Sequence, residues 1–343
     1  MFSFPSGEYN LLERLTPLCR AVESSSIYEK LMGDDAAVRG CSKGERLILT
    51  ADVSVENVHF SLDSMSLQEI GYKAMVSNLS DCAAMGALPD GALVQLVFPK
   101  REQNLADSVQ SIYEGFATAI KKWNFPIVGG DLSSGPLWTI AITLVGKVPE
   151  GHRVLKRTGI GEGDNLWVTG FPGKSAAGFD AIKRWGRDRI PDQFESLIRA
   201  HIAPEARITT AFALAAQKQV HAAMDLSDGL SKDIATLCYE NKTGFLFSDI
   251  TSFKNRAMHD LGNTLKCDWM DWFFGGGEEY ELLFAADSAF DPLSCGIEQN
   301  DLEFIRLGSF NKQIDGVQYR DNNGKLKRIE GRSYDHIARC LKC

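Results

Sequence analysis

A mixed α/β (α+β) fold in two domains follows from three features of the sequence. Strand-like and helix-like runs alternate along most of the chain. Glycine and charge interrupt that alternation over residues 151–164, which reads as a linker between two portions, each with its own strands and helices. The 343 residues suffice for two domains of ordinary size. The expected division is 1–150 and 151–343.

In the first portion, residues 46–53 read as a strand ending at Asp52. Residues 66–85 read as a long helix capped by Ser66 or Asp63. Residues 91–98 form an apolar strand. Residues 105–123 place Leu105, Val109, Ile112, Phe116 and Ile120 at helical spacing. Residues 125–128 are a short strand running into Gly129-Gly130-Asp131, and 137–148 a longer one. In the second portion, 165–169 is a strand and 174–185 a helix. Residues 204–219 read as a helix with proline near its first turn. Residues 220–224 form a strand leading to Asp225, 228–239 a helix, and 279–285 a strand preceded by three glycines.

The formal net charge is -8, from 37 basic and 45 acidic residues. That argues against a general nucleic-acid binder. ATP stays open, because bound magnesium inverts the local electrostatics. No stretch is long and apolar enough to span a membrane. The N-terminus lacks a basic segment followed by an apolar core, so the expected location is cytoplasmic. The eight cysteines are scattered and expected to be reduced. Cys340 and Cys343 form a CxxC with only His336 nearby, which reads as a tail with ordinary thiols rather than a zinc site.

Seven aspartates punctuate the apolar stretches: Asp34 and Asp35 in GDDAAV, Asp52 in LILTADV, Asp81 in NLSDCAAMGA, Asp131 in IVGGDLSSG, and Asp225 and Asp228 in AMDLSDGLSKD. Desolvating a carboxylate is costly without a partner. For each motif alone, a cap or a turn is at least as good a reading as a metal ligand; Ser227 or Asp228, for instance, suits a helix N-cap. Jointly the five placements favour carboxylates gathered around a cation, since strand ends in α/β folds collect ligands. Hard oxygen donors suit magnesium, and magnesium suggests a polyphosphate. Two glycine-rich segments do not carry this chemistry. Gly170-Phe-Pro-Gly-Lys174-Ser175 lacks the first glycine of a Walker A loop and reads as a strand-to-helix turn. The segment 159–163 precedes a strand and contains acid, so it fails the dinucleotide fingerprint.

GDDAAV, TADVSVENVHF, NLSDCAAMGALP, GGDLSSGP, LKRTG, DLSDGL, GGGEEYELLF and SYDHI occur in this order. From about residue 30 to the C-terminus the chain thereby resembles the thiamine-monophosphate kinases, of the AIR synthase-like (PurM-like) ATP-dependent superfamily. The resemblance implies two α/β domains, a homodimer paired through the N-terminal domains, and an active-site cleft between domains and subunits. ATP would sit without a P-loop, held through several Mg2+ ions. By motif, Asp35, Thr50, Asp52, Asp81, Asp131, Asp225 and Asp228 resemble magnesium ligands. Gly130, Asp131, Arg157 and Ser227 resemble ATP contacts, and His59, Glu278 and Tyr334 contacts to thiamine monophosphate. An aromatic face suits a cationic thiazolium, and a carboxylate suits an aminopyrimidine.

The implied reaction is in-line transfer of the ATP γ-phosphoryl group to the phosphate of thiamine monophosphate. The acceptor phosphate, with a second pKa of roughly 6, is already largely ionised, so no strong base is required. Asp52, Asp225 and Arg157 would act electrostatically and by positioning. Three departures from the family pattern stand out. Ala51 replaces a second hydroxyl residue and is expected to remove one oxygen from a metal site. Glu279 replaces aspartate. Position 334 is tyrosine where other aromatics also occur. Alternatives are a superfamily enzyme with another acceptor, such as AIR synthase or selenophosphate synthase, and a non-catalytic nucleotide-binding relative. Cys19 lacks the glycine-rich setting of the selenophosphate enzyme's reactive residue. A calcium-stabilised structural protein is disfavoured, because the acids do not cluster in one loop.

Overall fold

Strict alternation of half-buried and buried positions along residues 139–148 marks a strand with one face in a core and the other open. It belongs to a six-stranded sheet in the computed structural model, which describes residues 28–30, 35–41, 44–296, 303–321 and 323–329. The strands are β1 (Tyr28–Lys30), β2 (Ala37–Gly40), β3 (Arg46–Val55), β4 (Leu88–Pro99), β5 (Ile127–Gly135) and β6 (Thr139–Val148), in the spatial order β1-β2-β3-β6-β4-β5. Only β4 and β5 run parallel.

Helix α1 (Leu67–Ala84) lies on this sheet, and α2 (Leu105–Trp123) packs on α1. Ser66 caps α1 in a full capping box with Glu69. The two helices cross where Gly71 meets Gly115. A Cβ on Gly71 would lie 2.1 Å from the Ile112 carbonyl oxygen, and one on Gly115 would lie 2.0 Å from that of Gln68. Only glycine allows so close an approach. Thirteen residues of α1 are buried, on every side of the helix, because its other side meets the second half of the chain.

That half is built on a seven-stranded sheet. Its elements are β7 (Asn165–Thr169), α3 (Lys174–Trp185), α4 (Glu195–Ile202), α5 (Ile208–Ala215), β8 (Val220–Leu226), α6 (Leu230–Asn241), β9 (Gly244–Phe247), α7 (Arg256–Leu265), α8 (Trp269–Gly275), β10 (Glu281–Ala286), β11 (Phe304–Asn311), β12 (Val317–Arg320) and β13 (Leu326–Arg328). The spatial order is β13-β12-β9-β11-β7-β10-β8, antiparallel except for β9 beside β12. α1 touches β8, β10 and α5, so one buried helix joins both sheets in a continuous apolar core. No helix among the described residues is long and apolar enough to cross a membrane.

Several expectations need correction. The strand expected at 125–128 extends to Gly135 as β5, because it pairs with β4 along its whole length. Asp52 and Asp225 lie inside β3 and β8, rather than at the end of the first and just after the second. The helix expected at 204–219 is confined to Ile208–Ala215. Arg207 sits at its N-cap, where the guanidinium forms a two-pronged ion pair with Glu281, both contacts at 2.6 Å. The helix after Asp225 is capped by Gly229, not by Ser227 or Asp228. Residues 151–164 form no helix or strand, and 170–173 make the turn from β7 into α3.

Candidate active site

Three aspartates from distant elements meet where the two sheets face α1. Asp35 lies in the bend before β2, Asp81 on the last turn of α1, and Asp225 on β8. One carboxylate oxygen of each lies within 4.8 Å of the others. Each has a donor. The Thr50 hydroxyl donates to Asp81 at 2.5 Å. The Ser80 hydroxyl donates to Asp225 at 2.9 Å. Arg157 grips Asp35 with Nε at 3.1 Å and Nη2 at 2.5 Å.

These donors do not balance the charge. Burial, then the neighbouring Asp225 and Asp35, push the Asp81 carboxyl well above the usual range. Burial and Asp35 push Asp225 up likewise, against the pull of Arg157 and Ser80. Carboxylates forced together at this range favour either a shared proton or a cation. The donor set, all oxygen and partly desolvated, fits a magnesium ion.

A cleft of about 750 Å³ opens beside the cluster. Asp52, Asp81, Asp225, Asp228, His59 and Glu278 all line it, and so does Ser227. Asp228 pairs with Lys232 at 2.6 Å. Nδ1 of His59 accepts from the Val55 amide at 3.1 Å, which makes Nδ1 the unprotonated nitrogen of a neutral ring. Glu278 pairs with Lys73 at 3.0 Å, and its own amide donates to the Ser227 carbonyl at 2.7 Å. Glu278 and Tyr280 both adopt positive φ, 60° and 53°. Left-handed backbone at two non-glycine residues is costly, and such positions concentrate at binding sites.

Sequence reasoning passed over Asp233 and read Glu279 only as a replacement for aspartate; both acids shape these loops. Asp233 accepts from the amides of Ser227, Asp228 and Gly229, each at 3.2 Å, and so folds the DLSDGL loop over the first turn of α6. The aspartate at the end of AMDLSDGLSKD was the available signal. Glu279 is buried and accepts from the Ser175 amide at 3.0 Å. It thereby caps α3, whose own N-cap residue is Gly173. No local pattern announces a cap supplied from another element.

Gly130 and Asp131 do not join the cluster. Across the sheet Asp52 is level with Ile142, Val94 and Gly130, so three strand steps, about 14 Å, separate the two ends. Gly130 answers to its own sheet, since a Cβ there would lie 1.9 Å from the Val94 carbonyl oxygen. Asp131 is exposed on the edge strand. Side chains alternate along a strand, so Ala51 points away from the face that carries Thr50 and Asp52. Ala51 nevertheless lines the same cleft as Asp52, Asp81 and Asp225. Ala51 shares the outer face of the sheet with Val53 and Leu93, and register places Asp131 there too. Asp34, Tyr334 and the Cys340–Cys343 pair lie outside the described residues.

A second acid group is local. His221 Nδ1 lies 2.7 Å from Asp164, and Nε2 lies 3.8 Å from Asp287. It secures the linker to β8 on the surface of the second half.

Comparison with known proteins adds a further finding. Residues 33–148 match the family model of the AIR synthase related protein, N-terminal domain. The chain is 31% identical to the thiamine-monophosphate kinase of Salmonella typhimurium over 339 residues, covering 97% of this chain and 98% of that protein. It is 30% identical to the thiamine-monophosphate kinase of Bacillus subtilis over 333 residues, covering 96% and 99%. The solved structure "AaThiL complexed with AMPPCP and TMP" superposes with a TM-score of 0.82 at 27% identity, over 96% of this chain and 97% of that one.

Proposed function

This chain belongs to the thiamine-monophosphate kinase family, and we propose that it transfers the γ-phosphoryl group of ATP to thiamine monophosphate, yielding thiamine diphosphate and ADP. The observation that carries this reading is the Asp35–Asp81–Asp225 cluster bordering a cleft whose wall also holds His59 and Glu278. Cation-seeking oxygens suit the polyphosphate, and the histidine and carboxylate suit an organic cation.

In this reading Asp35, Asp81 and Asp225 hold Mg2+, with Asp52, Asp228 and the Thr50 hydroxyl in support. Bound magnesium supplies neutralisation of the phosphate oxygens. Arg157 aligns Asp35 through its two-pronged contact and adds positive charge beside the phosphates. Ser227 would contact ATP from the loop that Asp233 folds. His59 and Glu278 hold the thiamine end; Tyr334 is assigned there by family resemblance alone. The acceptor phosphate is mostly ionised at neutral pH, so the protein's task is to bring two polyanions into line.

A homodimer belongs to the same proposal. The outer face of the first sheet exposes Val53 at 44% and Leu93 at 38%. An open apolar sheet face with an exposed edge strand is suited to pairing with a second copy. Such a pairing would also give Asp131 and Gly130, stranded in one chain, a site to complete. The division at 1–150 and 151–343 is supported by the two separate sheets on either side of the 151–164 segment.

The test is incubation with ATP, magnesium and thiamine monophosphate, with ADP and thiamine diphosphate separated by chromatography. Equal amounts of both products are expected. ADP release that ignores thiamine monophosphate, or no release at all, would overturn the proposal.

A further inference from the structure

A lysine in the middle of a buried helix calls for a reason. Lys73 on α1 is only 5% exposed. Its ammonium pairs with Glu278 at 3.0 Å and lies 3.4 Å from Nδ1 of His201 on α4. An ammonium has three donors and no acceptor, so Nδ1 of His201 must be the accepting nitrogen. The Ser175 hydroxyl, which can donate or accept, lies 3.2 Å from the same nitrogen.

His201 is itself buried. Desolvation, followed by the positive charges of Lys73, Arg187 and Lys183, pushes its pKa down to about 2. The ring is therefore neutral at physiological pH. A neutral imidazole that accepts at Nδ1 carries its proton on Nε2. Among the described residues nothing accepts from that N–H. His201 nevertheless lines the cleft that Glu278 also lines. Phe179 stacks on the ring with centroids 5.0 Å apart at 26°, which fixes the plane of the imidazole.

One ammonium thus organises two neighbouring groups of opposite hydrogen-bonding sense. Glu278 is an acceptor. His201 is a donor that cannot become an acceptor without giving up Lys73. A phosphate placed between the two would be repelled by the Glu278 carboxylate. An aminopyrimidine offers the complementary pair, a ring nitrogen that accepts beside an exocyclic amine that donates. Resting on the reading above, we propose that His201 is a specificity-determining residue, its Nε2–H donating to a pyrimidine ring nitrogen while Glu278 accepts from the adjacent amine. Lys73 is the positioning residue that sets the tautomer of His201 and holds Glu278.

The test compares the unaltered chain with His201→Phe, which keeps the ring and removes the N–H, and His201→Gln, which returns an N–H donor. Circular dichroism first establishes that each variant folds. Steady-state kinetics are then run with thiamine monophosphate and with oxythiamine monophosphate, in which a carbonyl replaces the amine and the neighbouring ring nitrogen bears hydrogen. His201→Phe should raise KM for thiamine monophosphate about tenfold or more, the scale of one buried hydrogen bond. KM for ATP should stay unchanged, and the preference over the oxy analogue should shrink. His201→Gln should recover part of the loss. An unchanged KM for thiamine monophosphate, or equal rises for both substrates, would overturn the assignment. Calorimetric titration with thiamine monophosphate separates this from the kinase reading. Binding without turnover in the unaltered chain, weakened by His201→Phe, would support the donor pair and overturn the kinase. Absence of binding would overturn both.

Discussion

The Ser80 hydroxyl donates to Asp225 across 2.9 Å, joining the central helix to the second sheet through two residues 145 positions apart. The bond holds Asp225 where Asp35 and Asp81 crowd it. Asp225→Asn or Asp81→Asn relieves that crowding. In metal-free protein either change should leave the melting temperature equal or raise it. Turnover should fall at least about a hundredfold, as when a charge-stabilising group is lost, and the magnesium-induced rise in melting temperature should shrink. Asp52→Asn should lower turnover with little effect on metal-free stability, because Asp52 is exposed. Near-normal turnover in any of the three would remove that residue from the site.

The same crowding predicts a pH signature. Asp81 and Asp225 have folded-state pKa values above the unfolded ones. Between the two values the folded chain holds more protons than the unfolded chain. Stability of the metal-free protein should therefore fall as pH rises from the ordinary carboxylate range up through the raised values. Magnesium binds the ionised carboxylates and should flatten or reverse that slope. Urea unfolding across pH, with magnesium and with a chelator, measures both slopes. Identical slopes would count against a cation at the cluster.

Glu279 gives a separate signature, away from the cluster. Burial and the neighbouring Glu281 push its carboxyl up to about 8. The folded state holds this proton between an ordinary value of 4.5 and about 8, and the unfolded state does not. Its contribution is thus present at low pH and lost as pH rises through that window, by at most about 1.4 kcal/mol per pH unit. Glu279→Gln should abolish the loss, so the variant should gain on the unaltered chain from pH 5 to pH 8 in paired unfolding measurements. Parallel curves would show that the Glu279 carboxyl ionises normally.

Asp131 and the open sheet face make a joint prediction. Leu93→Glu places a charge on the exposed outer face and should shift the protein to monomer in sedimentation. If Asp131 serves the site of a second copy, Asp52→Asn and Asp131→Asn lie in different subunits of one site. Mixing the two inactive variants should then restore up to about a quarter of full activity, because half the dimers are mixed and each has one intact site. No recovery in verified mixed dimers would place Asp131 outside the partner's site.

Legibility from the chain depended on the range of the interaction. Residues 105–123, 165–169 and 174–185 were readable to the residue, because helical periodicity and strand alternation are local. Ser66 was readable as a cap for the same reason. The helix at 204–219 was overextended, because Arg207 answers to Glu281 from another strand. Motif order identified the family, and residue type pointed to magnesium and polyphosphate chemistry.

Which acids meet was decided by packing. Asp35, Asp81 and Asp225 converge, while Asp131 ends three strands from Asp52 in the same sheet. Lys73, His201, Asp233 and Glu279 gained their partners only in the folded chain. Periodicity and turn chemistry act over a few residues and are written in sequence order. Desolvation and charge repulsion depend on distances through space, and those exist only once two sheets close on one helix.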